Sequence, residues 1–309
     1  MNHGVIDIGT NTLLLLIISP EGGALEDLCR FGRLGEGLDA TGKLKPEAIE
    51  RSLEFCREYR HVLDLHGVGA PTVIATQALR EATNASAFIE PAELILGTTV
   101  EVIAGLREAE LAAIAVAQTF PELTGRPYVV VDVGGGSTEV IVTDGKRVTS
   151  ATSIPIGAVR LSERHLKNDP PLAHEVEAMI DDIDRQLAQL SLPTGVFVVG
   201  TAGTATTIAA IDLELATYDA DKVTGLRIDP RVVERQLEKL VKMTVAQRRV
   251  MRGMEPERAD VIAGGVAIYA RLLQQVGATK FITCDRGIRW GLAHERLSTG
   301  GGGRASVDV

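Results

Sequence analysis

Near the N-terminus an apolar pair, Val5-Ile6, leads into Asp7-Ile8-Gly9-Thr10-Asn11-Thr12 and then into a second apolar run, Leu13 to Ile18. Two short apolar runs on either side of a glycine-bearing polar turn predict strand, tight turn, strand. The phrase returns 125 positions downstream. Val129-Val130-Val131-Asp132-Val133-Gly134-Gly135-Gly136-Ser137-Thr138-Glu139-Val140-Ile141-Val142 keeps the apolar run, the Asp-x-Gly, the small hydroxylated residue and the second apolar run. Recurrence at that distance implies two equivalent domains.

Between the copies, residues 46–65 carry Ile49, Leu53, Cys56 and Leu63 on one helical face, with Pro46 suited to the first turn. Residues 72–76 and 99–103 read as strands, and 107–120 as an Ala-rich helix stopped by Pro121. The second half alternates in the same way. A hairpin turning at Asp144-Gly145 is followed by helices around 172–190 and 232–241, strands at 196–199 and 280–284, a long helix from about 256 to 276, and a last one over 286–296. This alternation predicts parallel-sheet α/β architecture. The expected layout is a first domain at 1–124, a boundary at Thr124-Gly125-Arg126-Pro127, and a second domain at 125–298 whose final helix can pack back on the first. The glycine-rich stretch 299–309 reads as a disordered tail.

Composition fits two such cores: 309 residues, 45% hydrophobic and only 4% aromatic, so packing rests on Val, Ile, Leu and Ala. The longest apolar run, Leu13 to Ile18, falls far short of the roughly 20 residues a membrane helix needs. A cytoplasmic protein with no membrane partner is expected. Cys29, Cys56 and Cys284 are widely spaced without a CxxC pair and read as buried thiols, while the scattered histidines offer no metal cluster. Carboxylates and phosphate oxygens remain able to hold a hard cation that arrives with substrate. The net charge of −9 argues against general nucleic-acid binding. It leaves room for an anionic substrate on a local basic path, since charges are screened over roughly 8 Å.

Phosphate needs many close hydrogen-bond donors, and glycine-rich turns present backbone amides with no side chain in the way. Both Asp-x-Gly turns meet that demand: Gly9, Thr10, Asn11 and Thr12 in the first, Gly134, Gly135, Gly136, Ser137 and Thr138 in the second. One copy alone would be a hairpin whose Asp and Gly merely shape the turn; two copies at domain spacing favour phosphate. Bare carboxylate repels phosphate, so Asp7 and Asp132 would face it through a hydrated Mg²⁺ or would orient an attacking water. A third cluster, Val199-Gly200-Thr201-Ala202-Gly203-Thr204-Ala205-Thr206-Thr207, follows a strand and precedes a helix, so its amides can meet another phosphate or a nucleotide. It has neither the Gly-Lys-Ser/Thr ending of a P-loop nor full GxGxxG spacing.

These residues, together with Arg33-Leu34-Gly35-Glu36-Gly37-Leu38, Ala75-Thr76-Gln77-Ala78-Leu79-Arg80-Glu81-Ala82, Ile103-Ala104-Gly105-Leu106-Arg107-Glu108-Ala109, Pro155-Ile156-Gly157-Ala158-Val159-Arg160-Leu161, Glu257-Arg258-Ala259-Asp260 and Gly287-Ile288-Arg289-Trp290-Gly291, resemble the exopolyphosphatase and guanosine pentaphosphate phosphohydrolase family over nearly the whole chain. That family lies within the actin and sugar-kinase superfamily. The resemblance implies an α/β fold of two ribonuclease H-like (actin-like ATPase) domains around a central cleft, and hydrolysis of a phosphoanhydride bond. It implies Glu108 as the base for the attacking water, with Asp132, Gly134 and Glu139 completing the active centre, and Arg80 on phosphate, where a guanidinium fork suits an oxygen pair. Gly203, Thr204 and Arg33 join the expected phosphate contacts; Asp7, Asp132 and Glu139 are the expected metal-facing carboxylates, partly through water. Arg30, Arg107 and Arg160 are further candidates for the basic path.

Departures from the family pattern are local. Ala104 and Arg107 stand where Ser and Glu are common around the base, and Thr201-Ala202-Gly203-Thr204 stands where a Gly-Gly pair is frequent. The additional C-terminal helical domains of longer members are absent from these 309 residues. The expected activity is Mg²⁺-assisted release of terminal orthophosphate from polyphosphate. The alternatives are 5′-phosphate removal from guanosine pentaphosphate, or a non-turnover sensor of guanosine tetraphosphate or nucleotide; a sugar-kinase-like transfer ranks below them. A homodimer is expected by analogy with the family.

Overall fold

The computed structural model describes residues 1–300 and contains two compact units: Met1–Ala115 with the closing segment from Ile288, and Val116–Gly287. In unit 1, β1 (His3–Ile8), β2 (Leu13–Ile18), β3 (Ala24–Arg30), β4 (Thr72–Ala75) and β5 (Val100–Val102) form one sheet in the order β3-β2-β1-β4-β5. The first three strands run antiparallel, and β1, β4 and β5 run parallel. The inner strands are apolar on both faces because both are covered: Val5, Ile6, Ile8, Leu13, Leu15 and Ile17 are all buried. The helices are α1 (Leu38–Thr41), α2 (Pro46–Leu65), α3 (Gln77–Glu81), α4 (Ser86–Leu96) and α5 (Gly105–Thr119), the last carrying the division between the units. α2 starts on Pro46 as its first-turn residue and packs Leu53, Cys56, Tyr59 and Leu63 into the core.

Unit 2 holds β6 (Tyr128–Val133), β7 (Thr138–Thr143), β8 (Val148–Ile154), β9 (Phe197–Thr201), β10 (Arg227–Ile228) and β11 (Lys280–Thr283), ordered β10-β11-β9-β6-β7-β8. Without the two-residue β10, the run β8-β7-β6-β9-β11 repeats the order and directions of β3-β2-β1-β4-β5. This is the ribonuclease H-like arrangement, present twice. Its helices are α6 (Ala158–His165), α7 (Ala173–Leu187), α8 (Ala202–Asp212), α9 (Ala220–Val223), α10 (Pro230–Leu240), α11 (Val245–Arg249) and α12 (Ile262–Val276).

Three expectations are revised. The sheets are mixed rather than parallel, because the duplicated strand-turn-strand unit and the strand after it add antiparallel pairs to each parallel core. The long helix expected from about 256 begins at Ile262, after a short 3₁₀ turn at Pro256–Arg258. Before it the amides of Arg258, Ala259 and Val261 donate to carbonyls three residues back rather than four, and the buried Arg248 Nη1 donates to the Ala259 carbonyl at 3.2 Å. The last helix, α13, runs Ile288–Gly300, two residues into the expected tail; 301–309 lie outside the described residues. α13 packs on β1 and β2, and Gly291 lets it approach the Leu111 backbone of α5 where no Cβ would fit.

Candidate active site

The two Asp-x-Gly turns close in the same way. In unit 1 the Gly9 amide donates to the Thr12 carbonyl at 2.9 Å, and in unit 2 the Gly134 amide donates to the Ser137 carbonyl at 3.0 Å. Each turn is gripped from outside by another segment of its own unit. The Thr10 and Asn11 carbonyls accept from the amides of Gly35 (2.8 Å) and Arg33 (2.9 Å). The Gly134 carbonyl accepts from Ala158 (2.9 Å), and that of Gly135 from Val159 (2.9 Å) and Arg160 (3.0 Å), donors that the N-terminus of α6 would otherwise leave unserved. A trans peptide sets its N–H opposite its carbonyl. The grip therefore turns the amides of Asn11 and Thr12 in one loop, and of Gly135 and Gly136 in the other, away from the gripping segment, as an anion nest requires.

Two side chains expected to reach phosphate are engaged elsewhere. The Thr10 hydroxyl donates to Gln77 Oε1 at 2.8 Å, and the fully buried Thr138 hydroxyl donates to the Ile156 carbonyl at 2.7 Å. Both hydroxyls hold their loops in place. Arg33 has φ +50°, a conformation costly for a side-chain-bearing residue, which keeps its amide on Asn11.

Asp132 and Glu139 are cross-strand partners in β6 and β7 and both are buried. A sheet avoids opposed carboxylates unless donors or a cation serve them. Thr201 Oγ1 donates to Asp132 Oδ2 at 2.9 Å, and Ser153 Oγ donates to Glu139 Oε1 at 2.7 Å. Behind Asp132, the fully buried Tyr269 hydroxyl lies 2.9 Å from the Val131 carbonyl and 3.0 Å from that of Thr201, tying β6 to β9 at the register where Asp132 meets Thr201. Thr201, the partner of Asp132, was left unassigned by residue type; its signal was a hydroxylated residue closing a strand ahead of a glycine.

The third cluster opens α8. Ala202 has φ +61°, and Gly203 lies directly under the Arg258 guanidinium, which a Cβ there would displace. Thr204, mostly buried, lies beside Gly265 of α12 and packs α8 against it.

In unit 1, Glu108 sits in the first turn of α5, only 6% exposed. Arg80 Nη1 bridges Glu108 Oε1 (2.8 Å) and the Ile103 carbonyl (2.7 Å). Thus the expected base and the expected phosphate-binding arginine meet each other in an ion pair at the N-terminal turn of α5. Arg30 pairs with Glu58, and Arg107 with Glu110 and Glu295.

Among the described residues, no three His, Cys, Asp or Glu side chains converge as a metal cage. Magnesium does not require one, since it keeps several waters and binds through one or two carboxylates plus substrate phosphate. The Asp132 and Glu139 pair suits that hard, hydrated ion.

Two ribonuclease H-like units, each with an Asp-x-Gly loop whose amides face one way, define a protein of the actin-like ATPase class. Within that class, the Ppx/GppA phosphatase family model matches residues 23–299, and the chain belongs to this family. It is 35% identical over 287 residues to exopolyphosphatase 2 of Mycobacterium tuberculosis, covering 88% of this chain and 89% of that protein. It is 29% identical over 306 residues to the guanosine-5'-triphosphate,3'-diphosphate pyrophosphatase of Photobacterium profundum, covering 96% of this chain and 59% of that one. The crystal structure of the Aquifex aeolicus member of the Ppx/GppA family superposes with TM-score 0.80 at 31% identity, over 97% of this chain and 98% of that one. Among the described residues no helix is long and apolar enough to cross a membrane.

Proposed function

We propose that the chain is a cytoplasmic exopolyphosphatase: water attacks the terminal phosphorus of polyphosphate, the phosphoanhydride bond breaks, and orthophosphate leaves. The observation that carries the reading is Glu108, buried at the head of α5 and held by Arg80, in a chain that also has two oriented amide loops. Glu108 aligns the water and accepts its proton. The amides of Asn11, Thr12, Gly135 and Gly136 bind phosphoryl oxygens, where fixed donors stabilise charge without reorganising. Asp7, Asp132 and Glu139 would hold Mg²⁺, partly through water, and the ion when bound would neutralise phosphoryl charge. The exopolyphosphatase name of the Mycobacterium tuberculosis relative supports polyphosphate as substrate.

A second reading, 5′-phosphate removal from guanosine pentaphosphate, is favoured by the name of the Photobacterium profundum relative and uses the same residues. Orthophosphate release from long polyphosphate, tripolyphosphate, guanosine pentaphosphate and ATP, each with Mg²⁺ and with a chelator, separates the two. Fastest release from polyphosphate, abolished by the chelator, is the expected result. Preference for the guanosine compound would promote the second reading, and no release from any substrate would defeat both.

A further inference from the structure

The duplication extends beyond the Asp-x-Gly turns to the segments that grip them. In unit 1 the gripping segment carries Leu34-Gly35, and in unit 2 it carries Ile156-Gly157; Leu34 and Ile156 are both fully buried. In each case the glycine lies where the segment touches its loop. A Cβ on Gly35 would overlap the Thr10 methyl, whereas the Thr10 Cβ and carbonyl oxygen would both be 3.4 Å away. A Cβ on Gly157 would come within 2.6 Å of Gly135 C and O and of Gly136 N, all backbone atoms. Neither glycine has positive φ, so backbone conformation does not demand it. Close approach does.

We propose that Gly35 and Gly157 are positioning residues for phosphate binding: by admitting their segments to within hydrogen-bond distance of the loop carbonyls, they set the direction of the loop amides. This rests on the phosphohydrolase reading of the loops. The two sites differ in a way that makes the idea testable. At Gly35 the obstacle is a single methyl group, which Thr10→Ser removes while keeping the hydroxyl that bonds Gln77. At Gly157 the obstacle is main chain and no substitution removes it.

The test is a double-mutant cycle on the full chain, with Gly35→Ala made in the wild-type and Thr10→Ser backgrounds and Gly157→Ala made alone. The readouts are tripolyphosphate Kd by calorimetry, kcat and KM for orthophosphate release, and thermal unfolding. A misplacement of about 1 Å can cost about 10²-fold. Gly35→Ala is expected to weaken tripolyphosphate binding and kcat/KM by about tenfold or more in the wild-type background and by less than about threefold beside Thr10→Ser. Gly157→Ala should lose at least as much. Equal losses in both backgrounds, unfolding of Gly35→Ala in both, or a lowered Tm with unchanged Kd would overturn the proposal. If wild type binds tripolyphosphate but releases no phosphate, the enzymatic reading fails and the cycle on Kd still decides the role of the glycines. If wild type does neither, both fall.

Discussion

The strand-to-helix turn at Ala202 carries a cost that a single substitution should remove. Ala202 has φ +61°, where an L-residue with a Cβ is disfavoured by roughly 1–2 kcal/mol. Ala202→Gly relieves this strain and gives back about 0.4–1 kcal/mol through the freer unfolded chain, leaving a net gain of about 0.8 kcal/mol between the middles of the two ranges. Unit 2 spans 172 residues, Val116 to Gly287, so its unfolding midpoint should rise by about 1–4 °C. The control is the same exchange at Ala178, exposed inside α7 at an ordinary helical position, where glycine should cost about 1 kcal/mol and lower the midpoint. Scanning calorimetry of the two variants beside wild type gives opposite signs if backbone strain is the cause. A midpoint for Ala202→Gly at or below that of wild type would refute the reasoning.

Thr201→Val removes the donor to Asp132 Oδ2. Supporting bonds of this kind are worth about 10–100-fold in metal affinity or activity, so the Mg²⁺ concentration for half-maximal rate should rise accordingly; an unchanged metal titration would detach Asp132 from the ion. Burial raises the thiol of Cys56 to about 12 and that of Cys284 to about 11, suppressing the reactive thiolate, whereas Cys29 is only half-buried. A thiol reagent at pH 8 should therefore label Cys29 alone in the folded protein and all three in denaturant, and rapid labelling of a second cysteine before unfolding would contradict the packing. Burial alone would raise the Asp182 carboxyl, but hydrogen bonds from His165 and Arg164, both at 2.9 Å, outweigh it and hold the group below its ordinary 3.8. The stability gained is complete above that value and is lost as pH falls through the lower folded-state value. Asp182→Asn should then lower Tm at pH 7 by more than it does at pH 3, and a gap that does not narrow on acidification would count against the pairing.

The duplicated loop was legible because its signal is local: an apolar run, Asp-x-Gly and a second run encode two paired strands and their turn within about fourteen residues. Pro46 and the face of Leu53, Cys56 and Leu63 likewise announced α2. What stayed hidden depends on residues far apart in sequence. Residue type makes Thr10 and Thr138 phosphate donors; only the fold brings Gln77 to one and the Ile156 carbonyl to the other. Arg80 and Glu108 each carried a role of their own, and only the fold brings them, 28 residues apart in sequence, into a mutual ion pair. Pro256 suits a helix start, yet the amides of Arg258, Ala259 and Val261 pair with carbonyls three residues back, and α12 begins only at Ile262. Gly157 stood within a recognised phrase, but its purpose appears only where α6 meets the Gly134 and Gly135 carbonyls.

The central claim is that Glu108 serves as the base in phosphoanhydride hydrolysis, and the most direct measurement is the initial rate of orthophosphate release from polyphosphate by wild type and Glu108→Gln. Glutamine keeps the size and an oxygen for Arg80 but cannot accept the proton, so kcat should fall by about 10²–10⁴-fold while Tm and tripolyphosphate affinity stay close to wild type. Equal rates for the two folded proteins would contradict the assignment.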